Sequence, residues 1–168
     1  FAFATSLAVV AAGLLGPLLG ALADYRGKKK AFLGAFLALG ASATGALFLA
    51  TEGHWALALG LFVVANVGVT ATLAFYNALL PGIASASEID RVSTAGFALG
   101  YLGGGTLFAI NLWMIASPAR FGLADTAAAT RLAFLSVAVW WVLLAIPLFR
   151  HVEEPPPRAE AGERAGAS

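Results

Sequence analysis

In the stretch "GALADYRGKKK", residues 20–30, four of the last five positions are cations, and long apolar runs lie on either side. The rest of the chain is almost free of charge. Of its 168 residues, 60% are hydrophobic and only 11% charged, and mean hydropathy is +0.86. Soluble domains carry charge on roughly a quarter of their residues, so this composition reads as a membrane protein. A net charge of +1 gives no reason to expect a nucleic-acid partner, and the absence of cysteine removes disulfides and thiolate metal sites.

Working outward from the charged turn, five stretches are long and apolar enough to cross the bilayer, which takes about 20 helical residues because every backbone polar group must be satisfied within the segment. They are 1–23, 31–51, 56–80, 93–117 and 132–149, and none contains Asp, Glu, Lys, Arg or His. The fold class expected is therefore all-α, a multi-pass bundle of five spans over 1–149. The chain opens at Phe1 inside an apolar run, with neither an initiator Met nor the charged start of a signal peptide. That predicts a fragment beginning within a span, with at least one upstream helix missing.

Charges in the connections fix the orientation. With the first turn cytoplasmic, alternation places Arg26, Lys28, Lys29, Lys30, Arg91, Arg150, Arg158 and Arg164 inside and only Arg120 and Arg131 outside. This agrees with the bias of cytoplasmic loops toward Lys and Arg. The tail "RHVEEPPPRAEAGERAGAS", residues 150–168, is charged and rich in Pro, Gly and Ala, which predicts a disordered cytoplasmic linker.

Anchoring topology explains the lysines of the opening stretch but not its acid. Gly13, Pro17, Gly20 and Asp24 fall within about 60° of one another on a helical wheel, so a carboxylate ends a stripe along which a second helix can approach. An acid at a helix C-terminus opposes the macrodipole and calls for a partner.

Here the residues resemble a known family. Gly20-x-Leu22-Ala23-Asp24-Tyr25-Arg26-Gly27-Lys28-Lys29 is similar to the signature loop between the second and third helices of the major facilitator superfamily, with Tyr25 where a basic residue usually follows the Asp. The segment "FYNALLPGIASASEIDRVSTAGFALGYLGGGTL", residues 75–107, resembles the vacuole-effluxer branch of that superfamily, whose fungal members are described as vacuolar amino-acid exporters. The resemblance implies that the chain covers helices two to six and the central loop, with the first helix and the C-terminal half of the transporter as its missing partners. It also implies a conformational latch at Gly20, Asp24, Arg26, Gly27, Lys28 and Lys29, tightened in one access state and released in the other.

The same segments make sense residue by residue. Pro81 ends a span, and the Ser85 to Glu88 and Ser87 to Asp90 spacings are weakly capping-box-like. Gly96, Gly100 and Gly104 form a doubled small-xxx-small pattern that permits close helix packing, in a transporter or in any membrane protein. In "GYLGGG", residues 100–105, the fifth-helix element of facilitator exporters is reproduced except for Tyr101 in place of Pro.

Polar residues within spans are the remaining candidates, because such groups are costly unless paired or facing a cavity. Asn66, Thr70 and Asn77 fall within about 40° on one span and are expected either to line a solute path or to bond another helix. Asn111 projects on the side of Gly100 and Gly104, where packing is the first expectation. Tyr76 and Tyr101 are placed to meet solute near a vestibule or to sit in the interfacial aromatic belt. The only histidines, His54 and His151, lie outside the spans, and neither a metal-ligand spacing nor a phosphate loop is present. The sequence thus points away from an enzyme and offers no cofactor. It predicts a transporter of small solutes by alternating access, in the cell membrane or, in a fungus, the vacuolar membrane, with a structural or assembly subunit as the alternative.

Overall fold

The computed structural model describes residues 28–80, 85 and 87–154, together with helical positions 6, 10 and 13. Among the described residues four long helices form a bundle: α1 Lys29–Ala46, continued by a one-turn 3-10 segment Leu47–Leu49, α2 Trp55–Leu79, α3 Ile89–Ala116 and α4 Thr126–His151. No strand occurs among the described residues. Each helix is long and apolar enough to cross a membrane, at 21 residues for α1 with its continuation, then 25, 28 and 26. At the rise of an α-helix these lengths span roughly 30–40 Å. The four helices fall on the second to fifth expected stretches, and the first, 1–23, lies outside the described residues apart from the three helical positions, as do Gly20, Asp24, Arg26, Gly27 and Pro81.

Two helix starts differ from the sequence expectation. The last span begins at Thr126 rather than 132 because the Asp125 carboxylate accepts the amide of Ala128 at 2.7 Å, a cap that satisfies a donor the helix would otherwise leave orphaned. α3 begins at Ile89 rather than 93, and no side chain caps it. The Ser85 hydroxyl instead donates to the Glu88 carboxylate at 2.7 Å, while the Ser85 carbonyl accepts the amides of Glu88 and Ile89 at 2.9 and 3.0 Å. The capping boxes suggested by spacing are therefore not formed. Short connections are closed by Gly53 at φ +85° and Gly122 at φ +70°, a backbone region that residues with a Cβ rarely adopt.

The helices stand in the order α2, α1, α4, α3. α1 packs against both α2 and α4, and α4 against α3, while no Cα of α2 comes within 8 Å of one in α3 or α4. The α1–α2 seam is built from small residues at its centre and aromatic ones at one end. Leu33, Ala71, Phe75 and Leu79 form a buried cluster, with Phe32 and Phe36 stacked on Phe75 at 5.7 and 5.8 Å. A second cluster, Met114, Ala129 and Ala133, joins α3 to α4 at the opposite end. Large apolar side chains elsewhere on the helices, Leu99, Leu102, Phe108 and Leu144 among them, are exposed, as suits a lipid solvent.

The expectation of a disordered tail from residue 150 is corrected at its start. α4 runs through Arg150 to His151, and the chain beyond is held by α1: the Lys30 ammonium donates to the carbonyls of Phe149 at 2.9 Å and Val152 at 2.7 Å, and its amide donates to Glu154 Oε1 at 3.1 Å. A cation at the C-terminal end of α4 meets carbonyls that the helix leaves unpaired and the negative end of its dipole. Residues 155–168 lie outside the described residues.

Candidate functional site

Three groups of candidate residues are placed by the bundle. The first is the basic turn. Lys28 is exposed, and Lys29 donates from its ammonium to the Ala78 carbonyl at 3.1 Å. With Lys30 on α4, this brings the ends of α1, α2 and α4 together around two neighbouring lysines. By sequence Lys30 is one of the topology charges and no more. Its partners stand 119 and 122 residues away in the chain, which no local pattern reveals.

The second is the polar stripe. The face of α2 toward α1 carries the buried residues Ala65, Gly68, Ala71, Thr72, Phe75 and Leu79, and Asn66, Thr70 and Asn77 lie on the opposite side, roughly 180° away by helical periodicity. Thr70 and Asn77 are exposed and Asn66 is half-buried. The Asn66 amide donates to the Phe62 carbonyl at 2.8 Å and the Thr70 hydroxyl to the Asn66 carbonyl at 2.9 Å. Two donors are thus satisfied within the helix, whereas neither Asn66 Oδ1 nor the Asn77 side chain has a hydrogen-bond partner among the described residues. Asn66 stands near the middle of α2.

The third is the space between α2 and α3. A cavity of about 430 Å³ there is lined by Leu73, Tyr76, Gly96, Phe97, Gly100 and Tyr101, so four candidates converge on it. Tyr76 reaches across the gap, its hydroxyl standing 2.7 Å from where a Cβ on Gly96 would be. Tyr101 is 79% exposed and forms a wall rather than a contact. Gly100 and Gly104 also border a second cavity of about 370 Å³ that reaches Asn111, Trp140 and Trp141. A Cβ on Gly100 or Gly104 would meet nothing within 4 Å. Among the described residues these glycines therefore leave space instead of bringing helices together, and only Gly96 is approached closely. α3 meets α4 on another face: a Cβ on Gly103 would lie 3.5 Å from Leu144 Cδ1. On that seam Asn111, 7% exposed, accepts the Ser136 hydroxyl at 3.0 Å, a packing role.

Close backbone approach is found at Gly40 of α1 and Gly68 of α2 rather than at Gly100 and Gly104. A signal for it exists, since Gly40-xxx-Thr44 and Gly68-xxx-Thr72 are small-xxx-small patterns. Nearby, the Thr72 hydroxyl is buried without a hydrogen-bond partner among the described residues. It borders a cavity of about 350 Å³ shared with Leu33, Leu37, Tyr76 and Trp141.

Apolar spans, the basic turn and the glycine-rich α3 are matched by a family model described as "Vacuole effluxer Atg22 like", over residues 1–165. The chain belongs to this Atg22-like family. It is also similar to the "Uncharacterized MFS-type transporter YxiO" of Bacillus subtilis (strain 168), being 36% identical over 142 residues that make up 84% of this chain and 33% of that protein. The chain thus spans 33% of the length of the curated relative it matches. No solved structure matches it. Four described helices long and apolar enough to cross a membrane, together with these likenesses, place this Atg22-like chain among multi-pass integral membrane proteins of the major facilitator type.

Proposed function

We propose that this Atg22-like chain forms part of a secondary transporter that carries small solutes by alternating access, with amino acids as the first class to test. The observation that carries the reading is the stripe of Asn66, Thr70 and Asn77 on the face of α2 turned away from α1. An amide facing hydrocarbon without a partner costs several kcal/mol, roughly 2–7 for a group of this kind, so such residues belong on a wetted path. Transporters of this kind bind solute near the midplane, and the position of Asn66 along α2 suits that. Tyr76 and Tyr101, at the cavity between α2 and α3, form the aromatic wall of the same path, and Asn111 supports it from the α3–α4 seam. An assembly subunit accounts for the apolar helices and glycines but gives Asn66 Oδ1 and the Asn77 side chain, which have no partner among the described residues, nothing to do.

In this reading the Lys29 end of the bundle is cytoplasmic. Gly20, Asp24, Arg26, Gly27, Lys28 and Lys29 act as a latch whose partner changes between access states. The membrane is the cell membrane, or the vacuolar membrane in a fungus.

The test is uptake of radiolabelled amino acids by the full-length protein in proteoliposomes, wild type against Asn66→Val. Valine keeps the helix and the volume while removing the amide. The reading expects an unchanged melting temperature with uptake lowered about tenfold or more, the loss of roughly 1.4 kcal/mol or more of solute interaction. Equal uptake by the two proteins contradicts it.

A further inference from the structure

At the end of the bundle opposite Lys29 and Lys30 lies a cavity of about 790 Å³, bounded by the 3-10 continuation of α1, the first turns of α2 and the start of α4. Its chemistry changes with depth. At the rim stand Glu52, in the turn before α2, and Asp125, the residue that caps α4. Arg131 lies five positions past the start of α4, about 7 Å further into the bundle at the rise of an α-helix. Leu47, Phe62 and Phe134 make the apolar wall.

Arg131 has no partner among the described residues. Its Nε is buried with no hydrogen bond, and the residue forms no ion pair with Glu52, Asp125 or any other described residue. Two carboxylates and a guanidinium therefore border one cavity without neutralising each other, with the cation inward of the acids. Pairing them directly would be the usual economy of a folded protein, since a buried guanidinium hydrogen left unmade is unfavourable.

We propose that this cavity binds the headgroup of a zwitterionic phospholipid with a primary ammonium, its phosphate on Arg131, its ammonium on Glu52 and Asp125, and its acyl chain along Leu47, Phe62 and Phe134. The order of charges carries the assignment. In such a headgroup the phosphate is on the acyl side and the ammonium is outermost, the complement of a guanidinium placed inward of two carboxylates. The level is right as well, because the ends of membrane-crossing helices lie where headgroups lie. A guanidinium matches phosphate oxygens in a two-pronged fashion. A choline headgroup has no N–H to give the carboxylates, and a glycerol headgroup has no cation for them. A purely anionic ligand would enter a cavity whose net formal charge is already negative, and a lone cation would leave Arg131 unmet. None of Asn66, Thr70 and Asn77 lines this cavity, and the proposal does not depend on which solute is carried.

The experiment uses the full-length protein in detergent micelles, with retained lipid counted by native mass spectrometry after addition of dioleoyl phosphatidylethanolamine, phosphatidylcholine or phosphatidylglycerol. The ethanolamine lipid is expected to be retained about tenfold better than either of the others, as charge-assisted hydrogen bonds from a primary ammonium allow. Glu52→Gln, at an exposed turn residue that the fold does not need, is expected to lower ethanolamine retention several-fold while leaving the choline lipid unchanged. Arg131→Gln is expected to abolish the preference, with Arg131→Lys restoring part of it, and a melting curve for each variant confirms that it folds. Equal retention of the three lipids, a preference for phosphatidylglycerol, or an intact ethanolamine preference in Glu52→Gln would overturn the proposal. So would displacement of the lipid by an equal concentration of soluble glycerophosphoethanolamine, which would show a site for a free zwitterion.

Discussion

Gly40 and Gly68 face each other across α1 and α2 so closely that a Cβ on Gly68 would lie 2.5 Å from the Cα of Gly40 and 3.0 Å from the Phe36 carbonyl oxygen. Gly40 is also approached by Trp141 of α4, whose ring would stand 2.6 Å from an added Cβ. Three helices meet at this pair, and the atoms in the way of a side chain on Gly68 are backbone, which cannot swing aside.

Gly68→Ala is therefore expected to destabilise the bundle by about 1–3 kcal/mol, the usual effect of overpacking a fitted seam. Alanine is otherwise the better helix former by up to about 1 kcal/mol, so a net loss isolates the clash. Gly60→Ala is the control, because a Cβ there meets nothing within 4 Å. Thermal denaturation in detergent with a fluorescent probe measures both. A melting temperature for Gly68→Ala at or above wild type contradicts the close approach.

Lys30→Met removes two carbonyl contacts, to Phe149 and Val152. Hydrogen bonds from a charged donor contribute about 1.5–3 kcal/mol, and the dipole interaction adds up to about 1 kcal/mol at this half-exposed position. Hydrogen exchange is the readout: amides of 149–154 are expected to exchange at least several-fold faster in the variant, with Lys30→Arg intermediate. Unchanged protection at these amides would show that α1 does not hold the end of α4.

Gly100→Leu separates space from packing. Gly100 borders the two cavities beside α3 and touches nothing within 4 Å among the described residues, so the variant is expected to keep the folded yield and melting temperature of the described bundle while lowering solute uptake. Leu102, 68% exposed, is expected to tolerate Leu102→Ala in both assays. Uptake by Gly100→Leu equal to that of Leu102→Ala would remove the solute path from this face of α3.

The Ser136–Asn111 hydrogen bond, 3.0 Å long on the α3–α4 seam, lends itself to a double-mutant cycle with Asn111→Ala and Ser136→Ala. Interhelical bonds of this type within membranes average about 0.6 kcal/mol. Coupling of that order is expected in thermal or chemical denaturation, and coupling indistinguishable from zero would mean the bond adds nothing to stability.

The helices were legible in the sequence because an uncharged apolar run of about 20 residues has one stable form in lipid. Their starts were less so: α3 and α4 extend back through Asp90, Arg91 and Arg131, residues that an apolar criterion excludes although a helix continues past the hydrocarbon. The stripe of Asn66, Thr70 and Asn77 was readable from its spacing, because period alone fixes a face. Neighbour order was not readable. Glycine patterns occur on several helices, and which of them meets a partner depends on α1 standing between α2 and α4, so spacing alone does not single out Gly40 and Gly68 over Gly100 and Gly104. Lys30 and Arg131 read as topology charges in the sequence, since their surroundings include segments far away in the chain.

The most direct test of the central claim, that the stripe on α2 lines the solute path, is labelling of Thr70→Cys in a full-length protein freed of other cysteines, with Val64→Cys as the comparison on an apolar part of the same helix. Both side chains are exposed in the bundle, Val64 at 36% on the side of α2 toward α1, so it reports labelling at an apolar position outside the stripe. A membrane-impermeant thiosulfonate that reacts with thiolates in water is expected to modify Thr70→Cys in reconstituted protein, to do so several-fold more slowly when a transported solute is present at saturating concentration, and to leave Val64→Cys untouched. No modification of Thr70→Cys, or modification at the rate seen for Val64→Cys, contradicts the account.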